Sequence, residues 1–162
     1  MECSERDVRQ AMLTAAAKLG YEELRPKQSQ AIRSFVSGFD VFVCLPTGSG
    51  KSLCYCLLPE VFDCLMGRTC ESIVVVVSPL IALMKDQVRA MSERNVKAVY
   101  AGEVDEDTQT EGDVMAGKYQ LVFMSPETLL GSERWRDMLV SPVYQHNLVG
   151  LIVDEAHCVK KW

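Results

Sequence analysis

A three-layer α/β domain built on a mostly parallel sheet is the fold this sequence predicts, and two observations carry the prediction. Apolar runs rich in β-branched residues alternate with longer helical patterns, which is how βαβ units with right-handed crossovers read. The distinctive short stretches, PTGSGKS, SPL, SPE and DEAH, each follow one of those runs. They therefore fall at the carboxyl ends of strands, where open parallel sheets hold ligands.

In chain order, the strand-like runs are DVFVCL at 40–45, SIVVVVS at 72–78, YQLVFMS at 119–125 and NLVGLIVD at 147–154, with a weaker one in VKAVYA. Their near-continuous hydrophobicity predicts strands buried on both faces. GKSLCYCLLPEVFDCLM, PLIALMKDQVRAMSERN and PETLLGSERWRDML carry the helical spacing between them. Two of these helices open with serine followed by proline. Ser78-Pro79 and Ser125-Pro126 are expected to place serine at the N-cap and proline at the first helical position.

With 162 residues, 48% of them apolar and 24% charged, the chain reads as one globular domain over 1–162. The longest apolar run is broken by Ser78 and Pro79, and none reaches the roughly 20 residues of a membrane span. The N-terminus MECSERDVRQ is charged from its second residue and lacks a signal-like apolar stretch, so an intracellular, non-secreted protein is expected. Seven cysteines form no framework spacing and are expected as reduced thiols in apolar surroundings. CYC at 54–56 lacks a second pair at zinc spacing.

A net charge of −5 argues against charge-driven nucleic-acid binding over the whole surface. Any such contact must be local. The acidic excess concentrates in GEVDEDTQTEGD, which holds no basic residue and is expected to be a solvated loop or a helix start.

In PTGSGKS, Gly48 and Gly50 permit conformations that turn successive N–H groups toward an anion, and a helix begins near Lys51. Thr47, Gly48, Ser49 and Gly50 would cradle phosphates, Lys51 would reach the β- and γ-phosphates, and the Ser52 hydroxyl would ligate Mg²⁺. This is a Walker A turn with Leu45 where the strict pattern has its first glycine. Asp154 and Glu155 follow the last apolar run. Asp154 would hold Mg²⁺, directly or through water, and Glu155 would orient and deprotonate a hydrolytic water. His157 stands three residues on as a link outward, whereas His146 carries no partner signal and is expected at the surface.

DEAHC joined to PTGSGKS resembles a superfamily 2 nucleic-acid helicase, and the order of stretches resembles the first RecA-like domain of the RecQ family. LGYEELRPKQSQAI is similar to motif 0, VFVCLPTGSGKSLCY to motif I, VVVVSPLIALMKDQV to motif Ia, and LIVDEAHCVKKW to motif II with the start of the aromatic-rich loop. YQLVFMSPETLL resembles the motif preceding the DEAH box, and Leu45 fits a bulky apolar residue shared by RecQ proteins.

The resemblance implies a RecA-like P-loop NTPase fold and makes residues 1–34 the adenine-recognition segment. Tyr21 would stack on adenine, Arg25 would pack beside it, and Gln28 would read the adenine edge with two hydrogen bonds. Leu24 stands where the family usually has phenylalanine. ATP and Mg²⁺ are the implied cofactors and DNA, single-stranded or partly duplex, the implied partner. Ser78, Lys85 and Ser125 would touch the DNA backbone, and Trp162 would stack on an unpaired base. The implied activity is that of a 3′-to-5′ DNA helicase, nuclear, or cytoplasmic in a prokaryote. The family's second RecA-like domain and its arginine finger lie beyond the sequence. The isolated chain is therefore expected to bind Mg·ATP weakly and hydrolyse it poorly. The other reading is a non-catalytic fragment that binds nucleotide or single-stranded DNA.

Overall fold

Ser4 opens the first helix of the computed structural model, which describes residues 2–46, 50–102 and 108–156. Its hydroxyl oxygen accepts the Asp7 N–H at 3.1 Å, and Asp7 Oδ2 accepts the Ser4 N–H at 3.2 Å. This reciprocal cap satisfies two donors that a bare helix start would leave unpaired. Helix α1 (Glu5–Lys18) buries Val8, Ala11, Met12, Ala15 and Ala16, the i, i+3, i+4 stripe of a one-sided helix. It ends at Gly20, with φ 84°. There the Tyr21 N–H reaches the Ala16 carbonyl at 2.8 Å and the Gly20 N–H reaches Ala17 at 3.0 Å, the double closure that a left-handed glycine permits.

The chain divides into two compact units, residues 1–69 and 70–162. In the first, α1 packs on α2 (Pro26–Val36) and α4 (Leu58–Met66), and α2 packs on α3 (Lys51–Cys56). Pro59 has no N–H to continue the ladder, and α3 gives way to α4 at Leu57. Lys18 Nζ lies 2.9 Å from Glu60 Oε1, tying α1 to a carboxylate that is almost fully buried.

The 40–45 run does not become a strand. Among the described residues it takes part in no ladder, and Phe42 is 80% exposed. Apolar, β-branched composition supplies a face to bury, but a strand also needs a neighbour for its backbone donors and acceptors. All four strands of the sheet belong to the second unit.

That unit contains β1 (Ile73–Val77), α5 (Ile81–Glu93), β2 (Ala98–Tyr100), α6 (Thr108–Met115), β3 (Leu121–Met124), α7 (Pro126–Gly131), α8 (Glu133–Val140), α9 (Pro142–Asn147) and β4 (Leu148–Val153). The strands run parallel in the order β2-β3-β1-β4. The step from β1 to β2 crosses the sheet one way, and the steps from β2 to β3 and from β3 to β4 cross it the other way. Right-handed crossovers then put α5 on one face and α6 to α9 on the opposite face. The packing agrees. Val75, Val77, Val122 and Met124 form one cluster with Val114 of α6, Trp135 and Met138 of α8 and Tyr144 of α9. α5 packs on β2 and β3.

Strands β1 and β3 are buried along their whole length, as their sequences predict. β4 is not, because it lies at the sheet edge with Leu151 52% and Val153 42% exposed. The PETLLGSERWRDML pattern forms two helices, broken at Ser132, rather than one. The acidic tract is helical from Thr108, and the fold supplies the cations its sequence lacks. Asp113 pairs with Lys118 and Glu111 with Arg134, both at 2.9 Å.

Candidate nucleotide site

In the first unit, the helix-ending glycine Gly20 delivers half-buried Tyr21, and Pro26 starts α2 one residue after Arg25. Arg25 is exposed. Gln28, three residues into α2, is 4% exposed, and its amide is held at both ends. Its Oε1 accepts the Arg25 N–H at 2.9 Å, and its Nε2 donates to the Gly50 carbonyl at 3.0 Å. Gly50 caps α3 in the left-handed region with φ 73°, a conformation that a side chain would strain. Lys51 and Ser52 are the first residues of α3, and both are half-buried. The expected cradle residues Thr47, Gly48 and Ser49 lie outside the described residues.

The second unit brings three of the predicted stretches to one edge of its sheet. Because β1, β3 and β4 are parallel, Ser78, Ser125 and Asp154 all stand at carboxyl ends. The Asp154 N–H donates to the Val77 carbonyl at 2.9 Å, and the Ser78 N–H to the Met124 carbonyl at 3.1 Å, so the ladder runs to the edge. Asp154 Oδ1 accepts the Glu155 N–H at 3.0 Å, and Glu155 takes φ 55°. A left-handed glutamate is uncommon, and such conformations concentrate at functional sites.

Ser125 caps α7 as predicted, its hydroxyl oxygen accepting the Thr128 N–H at 3.1 Å. Ser78 does not cap α5. Its hydroxyl accepts the Leu80 N–H at 3.2 Å, and the helix begins at Ile81. Pro79 and Leu80 form a turn instead, since Leu80 (φ −95°, ψ 83°) is not helical. Both serines are buried. Lys85 on α5 lies 5.7 Å from the centre of the Tyr100 ring, a cation over an aromatic face. Leu80, Ile81 and Leu83 leave apolar surface exposed at the same edge. His146 is exposed on α9, whereas His157 and Trp162 lie outside the described residues.

Residues 25–162 match the family model for the DEAD/DEAH box helicase. The chain belongs to the DEAD/DEAH box helicase family. Among curated relatives, this helicase domain is 40% identical over 141 residues to the ATP-dependent helicase SGS1 of Saccharomyces cerevisiae, covering 85% of the chain and 10% of that protein. It is 35% identical over 158 residues to the ATP-dependent DNA helicase RecQ of Synechocystis, covering 95% of the chain and 31% of that protein. The chain thus spans a third or less of those two helicases, and its similarity to RecQ-type enzymes runs over most of its own length. In the fold comparison, it superimposes with a TM-score of 0.70 and 22% identity on the helicase MrfA bound to DNA and AMPPNP, over 97% of this chain and 22% of that one. The RecA-like helicase fold expected from the sequence is thereby established, and the chain carries the ATP-binding region of such a helicase.

The sequence placed Lys51 at the start of a helix and Asp154 at the carboxyl end of a strand, where both stand. It did not reveal the bond between Gln28 and Gly50. Those residues are 22 apart, and only the packing of α2 on α3 brings them together.

Proposed function

We propose that this chain is the front half of a RecQ-like DNA helicase motor, holding ATP and Mg²⁺ and coupling hydrolysis to 3′-to-5′ unwinding in the intact protein. The observation that carries the reading is the start of α3. A left-handed glycine precedes a lysine and a serine there, in a chain matched to the helicase family over 25–162. The donor chemistry fits the implied ligands. Lys51 offers a cation to phosphate, and Ser52 and Asp154 offer the hard oxygens that Mg²⁺ prefers. A Cβ on Gly50 would meet Gln28 Nε2 at 2.5 Å, so the turn accepts glycine there and no larger residue without displacing Gln28.

ATP supplies the phosphoryl group and Mg²⁺ the neutralising charge when bound. Lys51 would hold the terminal phosphates and Gly50 the backbone turn beside them, with Thr47, Gly48 and Ser49 completing it. Ser52 and Asp154 would hold the metal, and Glu155 would orient a water and take its proton at the carboxylate. Tyr21, Arg25 and Gln28 would receive adenine. The carboxyl edge of the second unit would meet DNA, with Lys85 supplying charge and buried Ser78 and Ser125 shaping the turns that present backbone N–H groups. His157 would link hydrolysis to that surface, and Trp162 would stack on a base. The second RecA-like domain and the finger arginine would come from the rest of the protein, in keeping with the third or less of SGS1 and RecQ that this chain covers. An intracellular setting, nuclear in a eukaryote, goes with this reading.

Comparing ATP with GTP in equilibrium binding tests it. A preference for ATP of about tenfold or more, the worth of one bidentate amide–base pair, retained in Glu155→Gln, is the expected result. Equal affinity for the two nucleotides would overturn the adenine assignment.

A further inference from the structure

A lysine, an aromatic ring and a glycine meet at the carboxyl end of β2. Tyr100 closes that strand and stands in register with Phe123 of β3, so it lies at the sheet edge that also carries Ser78, Ser125 and Asp154. The Lys85 ammonium is 5.7 Å from the centre of its ring. On α5, Lys85 comes one position after buried Met84 and four after exposed Ile81, so its stem can run along the flank of the helix toward β2, on which α5 packs. Gly102 makes room for the ring. A Cβ there would clash with Tyr100 Oη and meet Cζ at 2.6 Å, so the phenol takes this place only because residue 102 has no side chain. A ring face attracts an ammonium without cancelling its charge, as a carboxylate would. A lysine stem is otherwise rich in rotamers, and freedom already surrendered to the ring is not lost again when a phosphate arrives.

We propose that Tyr100 is a positioning residue that holds the Lys85 ammonium at the carboxyl edge of the sheet as a phosphate contact for single-stranded DNA, in a seat that Gly102 leaves open. The proposal rests on the reading that this edge meets DNA, and it says how one cation is set there. A net charge of −5 makes such a pre-set contact matter, because the molecule as a whole does not attract a polyanion. Exposed Leu80, Ile81 and Leu83 on the same helix start offer apolar surface beside it. That pairing suits a strand whose base faces are open better than a duplex, which hides them.

The test is a double-mutant cycle, read by equilibrium binding of a fluorescent oligothymidine at low salt with a salt titration alongside. Tyr100→Leu is expected to weaken binding about twofold to fivefold, the size of one exposed cation–π contact, in the native background and not in Lys85→Ala. Tyr100→Phe, which keeps the ring, should restore native affinity. Lys85→Ala should also flatten the dependence of log affinity on log salt by about 0.7, the share of one phosphate contact to a single strand. Should Tyr100→Leu fail to fold, Gly102→Ala displaces the ring by moving only the far end of a side chain, with the same expectation. No loss in Tyr100→Leu, equal losses with and without Lys85, or a loss in Tyr100→Phe as large as in Tyr100→Leu would overturn the proposal. A native chain that binds no oligonucleotide, or a Lys85→Ala variant with native affinity and salt slope, would overturn the reading of this edge as a DNA contact, and the proposal with it.

Discussion

Single hydrogen bonds at a few residues fix the turns that matter here, and each can be removed alone. The Ser125 hydroxyl caps α7 at the carboxyl end of β3. Ser125→Ala is expected to lower stability by about 1 kcal/mol, read as a reduced midpoint in urea. Tyr144 ties two helices together. Its hydroxyl donates to the Val114 carbonyl at 2.7 Å from a fully buried position, joining α9 to α6. Burial pushes its phenol well above the ordinary tyrosine range, so it stays a neutral donor throughout the working pH range. Tyr144→Phe removes the donor while the Val114 carbonyl keeps the Gly117 N–H at 3.1 Å, at an expected cost of about 0.5–1.5 kcal/mol. Ser125 as a cap was legible because its proline and its helix are adjacent in sequence. Ser78 was misleading because an identical Ser-Pro pair precedes a residue, Leu80, that the turn holds outside the helical region.

Elements show more clearly what sequence can and cannot specify. Helix α1 is written locally, in a capping box, an apolar stripe and a terminal glycine. Hydrogen bonds from Ser4 hold the Asp7 carboxyl below its ordinary value. A carboxylate whose pKa is depressed on folding contributes stability above its unfolded pKa and loses it as pH falls through the lowered one. The cap should therefore persist at neutral pH and loosen only in acid, below the usual carboxylate range. An NMR pH titration of Asp7 should show its midpoint rising toward the ordinary value in Ser4→Ala, which removes the hydroxyl bond and keeps the backbone one.

Strands are different, because half of what makes one is its neighbour. Residues 40–45 and 148–153 look alike as apolar runs, yet the first forms no strand and the second pairs with β1 on one side only. The consequence can be measured. Leu151→Thr, at a half-exposed edge position, should change stability by no more than about 0.5 kcal/mol. Trp135→Ala, packed among Val75, Val77, Val122 and Met124 and 1% exposed, should cost about 3–5 kcal/mol.

At the scale of the whole molecule, a parallel sheet was the prediction, and the gathering of the distinctive stretches at one edge was its consequence. Alternating runs and helices sufficed to place Ser78, Ser125 and Asp154 at one sheet edge, because a parallel sheet puts all its carboxyl ends together. The helix start at Lys51 after Gly50 was equally legible, since a glycine turn that opens a helix is a local motif. What the sequence could not show was a contact set by helix packing, namely the anchoring of Gly50 by Gln28 from 22 residues away. The account as a whole rests on the start of α3 being a nucleotide cradle that depends on Lys51.

Titration of Mg·ATP into the chain and into Lys51→Ala tests that claim most directly, with phosphate release followed in the same samples with and without single-stranded DNA. The account predicts saturable binding to the native chain, binding weakened at least about tenfold in the variant, and negligible turnover in either sample. Equal binding by both proteins would contradict the cradle, and DNA-stimulated turnover would contradict the proposal that catalysis needs groups from the rest of the protein.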